Sequence, residues 1–240
     1  MDLMTRKKII ILLIVLAVAV EGIYLAKDYL YLVKDFFGPN ESNLPMAETW
    51  NYEKYLEIGY SQDQIDKLIA EVERLNSEFE KSPDNFETLL KIGNIYMMLE
   101  EYQKAEDIFL QAVEIEPSYA PAHYNLGELY GSFIGEKDKA LEYYQKAIEL
   151  TPWRSQYYRS LADLYWSDFP EKESEIEPLM LSGAEKYPEN IDFYTYLASY
   201  FRQKDNLTKA IYYLKEALRI EPDNQTLKQE LVELESVYGK

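Results

Sequence analysis

The side chains that most often carry out chemistry are scarce in this 240-residue chain, which has one histidine, His123, and no cysteine. The lack of cysteine excludes disulfides, thiolate nucleophiles and cysteine-based zinc sites. A single histidine argues against histidine-based metal centres and Ser-His-Asp triads. Paired carboxylates can hydrolyse glycosidic bonds, but here they fall on helix faces that the hydrophobic pattern predicts to be exposed. We therefore expect no enzyme, no metal site and no cofactor.

The charge of the chain is strongly acidic and unevenly distributed. The formal net charge is −18, from 43 acidic and 25 basic residues. Residues 1–34 hold five basic and three acidic side chains, a balance of +2, whereas the other 206 residues hold 20 and 40, a balance of −20. Recognition of phosphates needs a basic face, so nucleic acid is not an expected partner. The acidic part should also stand away from anionic lipid headgroups.

An apolar segment near the N-terminus, Ile9–Ala26, has 18 residues. As a helix it would be about 27 Å long, close to the roughly 30 Å of a bilayer core. With its continuation to Val33, we expect a transmembrane anchor over residues 9–33 and a linker over 34–46. Basic residues at positions 6–8 precede the segment, so residues 1–8 are expected in the cytoplasm and the rest of the chain outside it. The expected location is thus a single-pass protein of the cell membrane.

Two other interpretations of this segment stay open. The small residues Ala17, Val18 and Ala19 offer a cleavage site for a signal peptide, and the first 12 apolar residues, Ile9–Val20, taken alone have a length found in buried core helices. Within the apolar segment, Glu21 is the exception. A carboxylate inside a membrane span is costly, so Glu21 lies either at the outer interface, with its carboxylate in water, or against another membrane helix in a complex.

The rest of the chain carries a repeat of about 34 residues. The prolines that mark it are spaced 35, 36 and 34 residues apart: Pro117, Pro152, Pro188 and Pro222. A small residue stands five positions before each: Ala112, Ala147, Gly183 and Ala217. Upstream, each repeat has Gly or Ala three residues before an aromatic residue, as in Gly93 and Tyr96. On these positions, residues 83–240 resemble the tetratricopeptide repeat family.

The resemblance implies an all-α solenoid of helical hairpins. We expect four repeats, at 86–119, 120–154, 155–190 and 191–224, followed by a capping helix at 225–240. Residues 47–82 are expected to form a helical hairpin or degenerate repeat that docks on the array, a pure spacer being the alternative. The second repeat has one extra residue, expected in its inter-helix turn within 133–138. Pro170 and Pro178 should make the second helix of the third repeat shorter or bent.

The same resemblance assigns roles to small and large residues. Small ones such as Gly93, Ala105 and Ala112 should lie where two helices approach closely. Large ones, Tyr96 and Phe109, should fill the gap towards the next repeat. A tyrosine stripe at helical spacing is mainly core packing, which accounts for many of the 23 tyrosines. His123 takes a buried packing position and is expected to be a core residue.

In this family the first helices line a concave groove that binds peptides. The resemblance assigns to that groove a mixed set of aromatic, amide, apolar and charged residues: Lys91, Asn94, Met98, Tyr124, Asn125, Glu128, Arg159, Asp163, Trp166, Tyr196 and Arg202. This composition suits an extended peptide or a partner helix.

Some members of the family clamp a partner's terminal carboxylate with basic residues and asparagines. Asn94 and Asn125 fall at the places of the asparagines. The basic places are filled by Leu90, Gln156 and Ser160, which argues against the clamp. The two asparagines are therefore either general peptide contacts or ordinary solvated positions.

Two functions follow. The first is a non-catalytic, membrane-anchored scaffold that binds protein or peptide partners through the groove. The alternative is a structural or assembly subunit of a membrane complex for secretion, pilus or envelope biogenesis, whose transmembrane helix is itself an interface through Glu21.

Overall fold

A computed structural model describes residues 50–238 of the chain. The predicted anchor at 9–33, with Glu21, and the linker at 34–46 lie outside the described residues. The described helices belong to one compact unit that begins at Asn51. None of these helices combines the length and the apolar character needed to cross a membrane.

The described part of the chain is helical throughout and contains no strand. Its α-helices are α1 (Tyr52–Glu57), α2 (Gln62–Lys81), α3 (Phe86–Met98), α4 (Tyr102–Ile115), α5 (Ala120–Glu128), α6 (Lys137–Leu150), α7 (Ser155–Asp168), α8 (Ile176–Lys186), α9 (Asp192–Gln203), α10 (Leu207–Ile220) and α11 (Gln225–Tyr238). A π-helical segment, Leu129–Ile134, extends α5, and a 3₁₀-helix, Pro170–Glu175, precedes α8. The all-α prediction is confirmed.

The helices stack as a solenoid in chain order. The hairpins α3–α4, α5–α6, α7–α8 and α9–α10 each pack internally, and each second helix also packs on the first helix of the next hairpin. First helices touch one another as well, α3 with α5 and α7 with α9. A fold in which each repeat contacts mainly its neighbours is the solenoid arrangement, and it aligns the first helices side by side on one face of the molecule.

Glycines mark the closest approaches between helices. A Cβ atom added to Gly93 would lie 2.3 Å from the Phe109 ring, and one added to Gly127 would lie 2.6 Å from Tyr144. In both hairpins, the ring of the second helix therefore lies on the glycine of the first. Phe109, predicted to fill the gap towards the next repeat, instead lies over Gly93 of its own repeat. Between repeats, the corresponding contact joins Gly183 to Phe193.

The extra residue of the second repeat is not in the turn where it was predicted. It is taken up by the π-helical segment Leu129–Ile134, which ends at Gly135 with a φ of +83°. A π-helix holds one residue more per turn than an α-helix, so the helix absorbs the insertion before the turn begins. Lys137 donates from Nζ to the carbonyl oxygen of Gly131 in this segment.

The second helix of the third repeat is shorter, as predicted. Helix α8 has 11 residues, whereas α4, α6 and α10 each have 14. The 3₁₀-helix from Pro170 takes the place of the missing turn. Pro178 lies in the first turn of α8, where a backbone N–H has no intrahelical acceptor. Pro178 is therefore accommodated without breaking the helix.

The region before the first clear repeat docks on the array. Helix α2 begins with the predicted capping box, in which Ser61 and Gln64 bond each other's backbone N–H, an arrangement that satisfies donors left free at a helix start. Helix α2 packs on α3 through an apolar stripe that includes Ile65, Val72 and Phe79. The apolar stripe of α2 is thus buried against the array, as expected for a docked segment. At the other end, α11 packs on α10 and buries Leu227 and Leu234.

Candidate functional site

The predicted groove residues lie on the first helices. Helix α3 carries Lys91, Asn94 and Met98; α5 carries Tyr124, Asn125 and Glu128; α7 carries Arg159, Asp163 and Trp166; α9 carries Tyr196 and Arg202. Spacings of three and four residues place side chains on one helix face. We call the surface formed by these faces the first-helix face. The binding role of its residues stays a prediction.

Side-chain hydrogen bonds join successive first helices across this face. Asn125 Nδ2 donates to Asn94 Oδ1 at 3.2 Å. One repeat later, Ser160 Oγ donates to Glu128 Oε1 at 2.8 Å. Between the third and fourth repeats, the Tyr196 hydroxyl donates to Asp163 Oδ1 at 2.7 Å. The structure thus brings most of the predicted polar residues into contact with a partner on the neighbouring repeat.

A cleft of about 680 Å³ lies between the second and third repeats. We call it the carboxylate cleft, after three of its members. It is lined by Glu128, Gly131, Ser132, Lys137, Tyr144, Ser160, Asp163, Leu164, Trp166, Ser167 and Asp168. Within it, Lys137 forms an ion pair with Asp168 at 3.4 Å. The π-helical segment forms part of the wall through Gly131 and Ser132, so the inserted residue shapes this cleft directly.

A second cleft, of about 550 Å³, adjoins the first. We call it the arginine cleft. It is lined by Tyr124, Trp153, Arg154, Ser155, Gln156, Arg159, Ser160, Asp163 and Asp192. Ser160 and Asp163 belong to both clefts, which therefore adjoin each other along α7; together we call them the channel. A channel of this kind suits an extended chain, because backbone and side chains find polar and apolar groups along its length.

Two tyrosines bonded to carboxylates of the clefts, Tyr144 and Tyr196, keep their protons. Burial, reinforced by the nearby Glu128 carboxylate, raises the pKa of Tyr144 far above its usual value. Burial and the bond to Asp163 likewise raise the pKa of Tyr196. The Tyr144 hydroxyl donates to Glu128 Oε1 at 2.8 Å. These hydroxyls therefore act as fixed donors that orient Glu128 and Asp163, a role in positioning and not in proton transfer.

Several predicted residues lie away from the clefts. Lys91, Asn94, Met98, Asn125 and Tyr196 line neither of them, although Met98 is 52% exposed on α3. Arg202 binds Glu230 of α11 through Nη1 at 2.9 Å, so its guanidinium is engaged within the molecule. The predicted residues that line the clefts are Tyr124, Glu128, Arg159, Asp163 and Trp166.

Other cleft residues were missed by the sequence prediction. Gln156 and Ser160 appeared there only as reasons against a carboxylate clamp. In the structure, Gln156 Nε2 donates to the Tyr124 hydroxyl at 3.0 Å. Trp153 and Arg154 directly follow Pro152 in the connection between repeats. A large aromatic and a cation adjacent to the repeat-ending proline were the available signal.

His123 is the core residue that the sequence predicted. Its side chain is 6% exposed, and Nε2 lies 2.8 Å from the carbonyl oxygen of Pro117. The Tyr143 ring packs beside it, with the ring centres 5.9 Å apart. Over residues 50–238, no group of three or more histidine, aspartate or glutamate side chains could hold a metal ion.

Comparisons with known proteins agree with this architecture. Family models described as tetratricopeptide repeat match residues 84–152 and 191–224. A curated relative, the CTR9 homolog of Arabidopsis thaliana, is 33% identical over 75 residues, which are 31% of this chain and 7% of that protein. This chain therefore spans less than a tenth of the length of that relative.

Solved structures show the same fold at low sequence identity. MamA is 24% identical, with a TM-score of 0.51 over 72% of this chain and 92% of its own. PilW is 18% identical, with a TM-score of 0.52 over 77% and 85%. A thermophilic tetratricopeptide repeat protein of Thermus thermophilus is 15% identical, with a TM-score of 0.50 over 76% and 97%. Residues 84–152 and 191–224 of this chain are tetratricopeptide repeats, and its described helices form a solenoid of that type.

Proposed function

We propose that this chain is a non-catalytic scaffold that binds an extended peptide or a partner helix of another protein along its first-helix face. The observation that carries the proposal is the channel formed by the adjoining carboxylate and arginine clefts. It combines Tyr124, Trp153 and Trp166 with amide and charged groups, the mixture expected at a peptide-binding surface. Proteins built from tetratricopeptide repeats bind protein or peptide partners, which agrees with this use of the channel.

A pull-down with residues 46–240, with bound proteins identified by mass spectrometry, tests the proposal. Replacing Gln156 and Trp166 together by alanine should weaken binding of the principal partner without unfolding the array, because both side chains line the channel and neither is fully buried. Tyr212→Ala is the control, since Tyr212 is 54% exposed on the second helix α10. The assignment of the face would be wrong if binding of the partner survived the Gln156 and Trp166 changes and was lost with Tyr212→Ala.

We further propose that residues 9–33 anchor the chain in the cell membrane, with the repeats outside the cytoplasm. The length of the apolar segment and the basic residues before it support this. Extraction with alkaline carbonate should leave the full chain in the membrane pellet, and protease added to intact spheroplasts should digest the repeats. Release of a shortened chain, with its N-terminus after Ala19, would show a cleaved signal peptide instead.

A second candidate function is favoured by Glu21. A carboxylate inside an apolar segment is by default a candidate functional residue. If the membrane helix packs against a helix of another protein through Glu21, the chain is a subunit of a membrane assembly. PilW, which shares the fold, is described as a type IV pilus biogenesis factor. Replacing Glu21 by leucine should dissociate such an assembly on native gels. If the complex persists unchanged, residues 9–33 serve only to anchor the chain.

A further inference from the structure

Two arginines of the arginine cleft stand out by their lack of ion pairs. The other three arginines among residues 50–238 each bind a carboxylate: Arg74 at 2.8 Å, Arg202 at 2.9 Å and Arg219 at 2.7 Å. Arg154 and Arg159 make no ion pair with any described residue. In a chain of net charge −18, carboxylates are plentiful, so two arginines that line one cleft without an ion pair are a specific feature of it.

The two carboxylates that line the arginine cleft with them bond to neutral hydroxyl groups. Asp192 Oδ2 accepts a hydrogen bond from Ser155 Oγ at 2.6 Å, and Asp163 accepts one from Tyr196. Asp163 and Asp192 line the same cleft as Arg154 and Arg159, but these bonds hold their carboxylates on hydroxyl groups of α9 and α7 and not on a guanidinium. A guanidinium offers a fork of N–H donors that matches a carboxylate and binds it more strongly than a neutral acceptor.

We infer that the arginine cleft binds an acidic side chain of a partner peptide that lies along the channel, an inference that rests on the proposed peptide-binding function. Trp153, 57% exposed in the same cleft, would cover an apolar residue beside the acidic one. The partner is thus an extended segment with aspartate or glutamate next to an apolar side chain.

The lining of the two clefts indicates an internal acidic side chain and not a chain terminus. The places where some tetratricopeptide repeat proteins hold a terminal carboxylate with basic residues are filled in the arginine cleft by Gln156 and Ser160, which offer no cation for that contact. In the adjoining carboxylate cleft, three carboxylates outnumber the single cation, Lys137. A second acidic residue placed there would be repelled. The acidic position of the peptide is therefore an internal one, confined to the arginine cleft.

A peptide library on phage tests the inference. The peptides are fused to the coat protein through their C-termini, so that none has a free terminal carboxylate, and are selected on the full chain in mild detergent. We expect enrichment of aspartate or glutamate beside an apolar residue. Replacing Arg154 and Arg159 together by glutamine should lower the affinity for the selected peptides by about tenfold, as expected for loss of a charged hydrogen-bonded contact.

Arg219→Gln is the matched control, because Arg219 lies on the second helix α10 and pairs with Glu216. It should leave the binding unchanged, and circular dichroism should show all variants folded. Selected peptides without an acidic position, or binding that survives the double arginine change, would overturn this inference alone. Binding that is found only for synthetic peptides with a free C-terminus would overturn it as well, because the cleft would then recognise a terminal carboxylate. If no peptide is selected at all, the proposed function fails together with it.

Discussion

At the scale of single residues, the contact between Gly93 and Phe109 shows how the repeat pattern becomes structure. The glycine was recognisable from its spacing to Tyr96. Its ring partner was assigned to the wrong neighbour, because a consensus position says that a residue is large and buried but not which of two adjoining helices its ring covers. Phe109 is fully buried and lies over its own repeat.

We predict that Gly93→Ala lowers the free energy of unfolding. Alanine is the better helix former by about 1 kcal/mol, but its Cβ atom would lie 2.3 Å from Phe109. Relief of such overpacking typically costs about 1–3 kcal/mol, so the cost of the clash should exceed the gain in helix propensity. Urea unfolding followed by circular dichroism measures the change. Adding Phe109→Leu should recover part of the loss. A higher unfolding midpoint for Gly93→Ala would show that the ring moves aside without cost.

The residues of the channel were predicted only in part, for a related reason. Family positions identified Tyr124, Glu128, Asp163 and Trp166, since these point from first helices in a regular way. They gave no information about Trp153 or Arg154, which lie in a connection whose path depends on how two repeats pack. Side chains of connections can be placed only once the helices on both sides are in position.

At the scale of elements, the second repeat departs from its neighbours through the π-helical segment. Counting residues showed that one was in excess, but loops generally tolerate insertions best, so the turn was the natural expectation. The structure places the excess in the helix, at Leu129–Ile134. Sequence spacing cannot distinguish these two solutions, because both keep the flanking apolar residues in phase.

We predict that removing Ser132 preserves the fold. Ser132 is exposed, and loss of one residue from a π-helical turn leaves an ordinary α-helix in which the following residues keep their phase. Removing exposed Gln145 from the regular helix α6 should be far more damaging, since every later residue would rotate by about 100°. Thermal unfolding compares the two deletions. Equal loss of stability would mean that the π-helical segment is required for folding itself.

At the scale of the whole molecule, acidic charge is the dominant electrostatic feature. Most cations among the described residues are engaged in exposed ion pairs such as Lys67–Asp63 at 2.6 Å. Each such pair contributes about 0–1 kcal/mol. Repulsion among the excess carboxylates acts against them and favours expanded states.

We predict that added sodium chloride raises the melting temperature of the full chain. Screening shortens the Debye length from about 30 Å at 0.01 M to about 3 Å at 1 M. It therefore weakens the long-range repulsion of a −18 chain more than it weakens contacts within ion pairs. For a protein of this size, each kcal/mol corresponds to about 2–4 °C. Scanning calorimetry over this range measures the shift. A fall in melting temperature would show that the exposed ion pairs outweigh the repulsion.

The π-helical segment also has a consequence for anyone who recombines repeats. Because the additional residue is held inside a helix, a module of standard length grafted over 120–154 would join both neighbours without a phase error. Such a chimera would fold and look unaltered at low resolution. It would nonetheless lack the wall that Gly131 and Ser132 give to the carboxylate cleft. In this solenoid, a repeat can thus be exchanged without loss of the fold but with loss of its binding surface. The difference comes from the one additional residue in the π-helical segment.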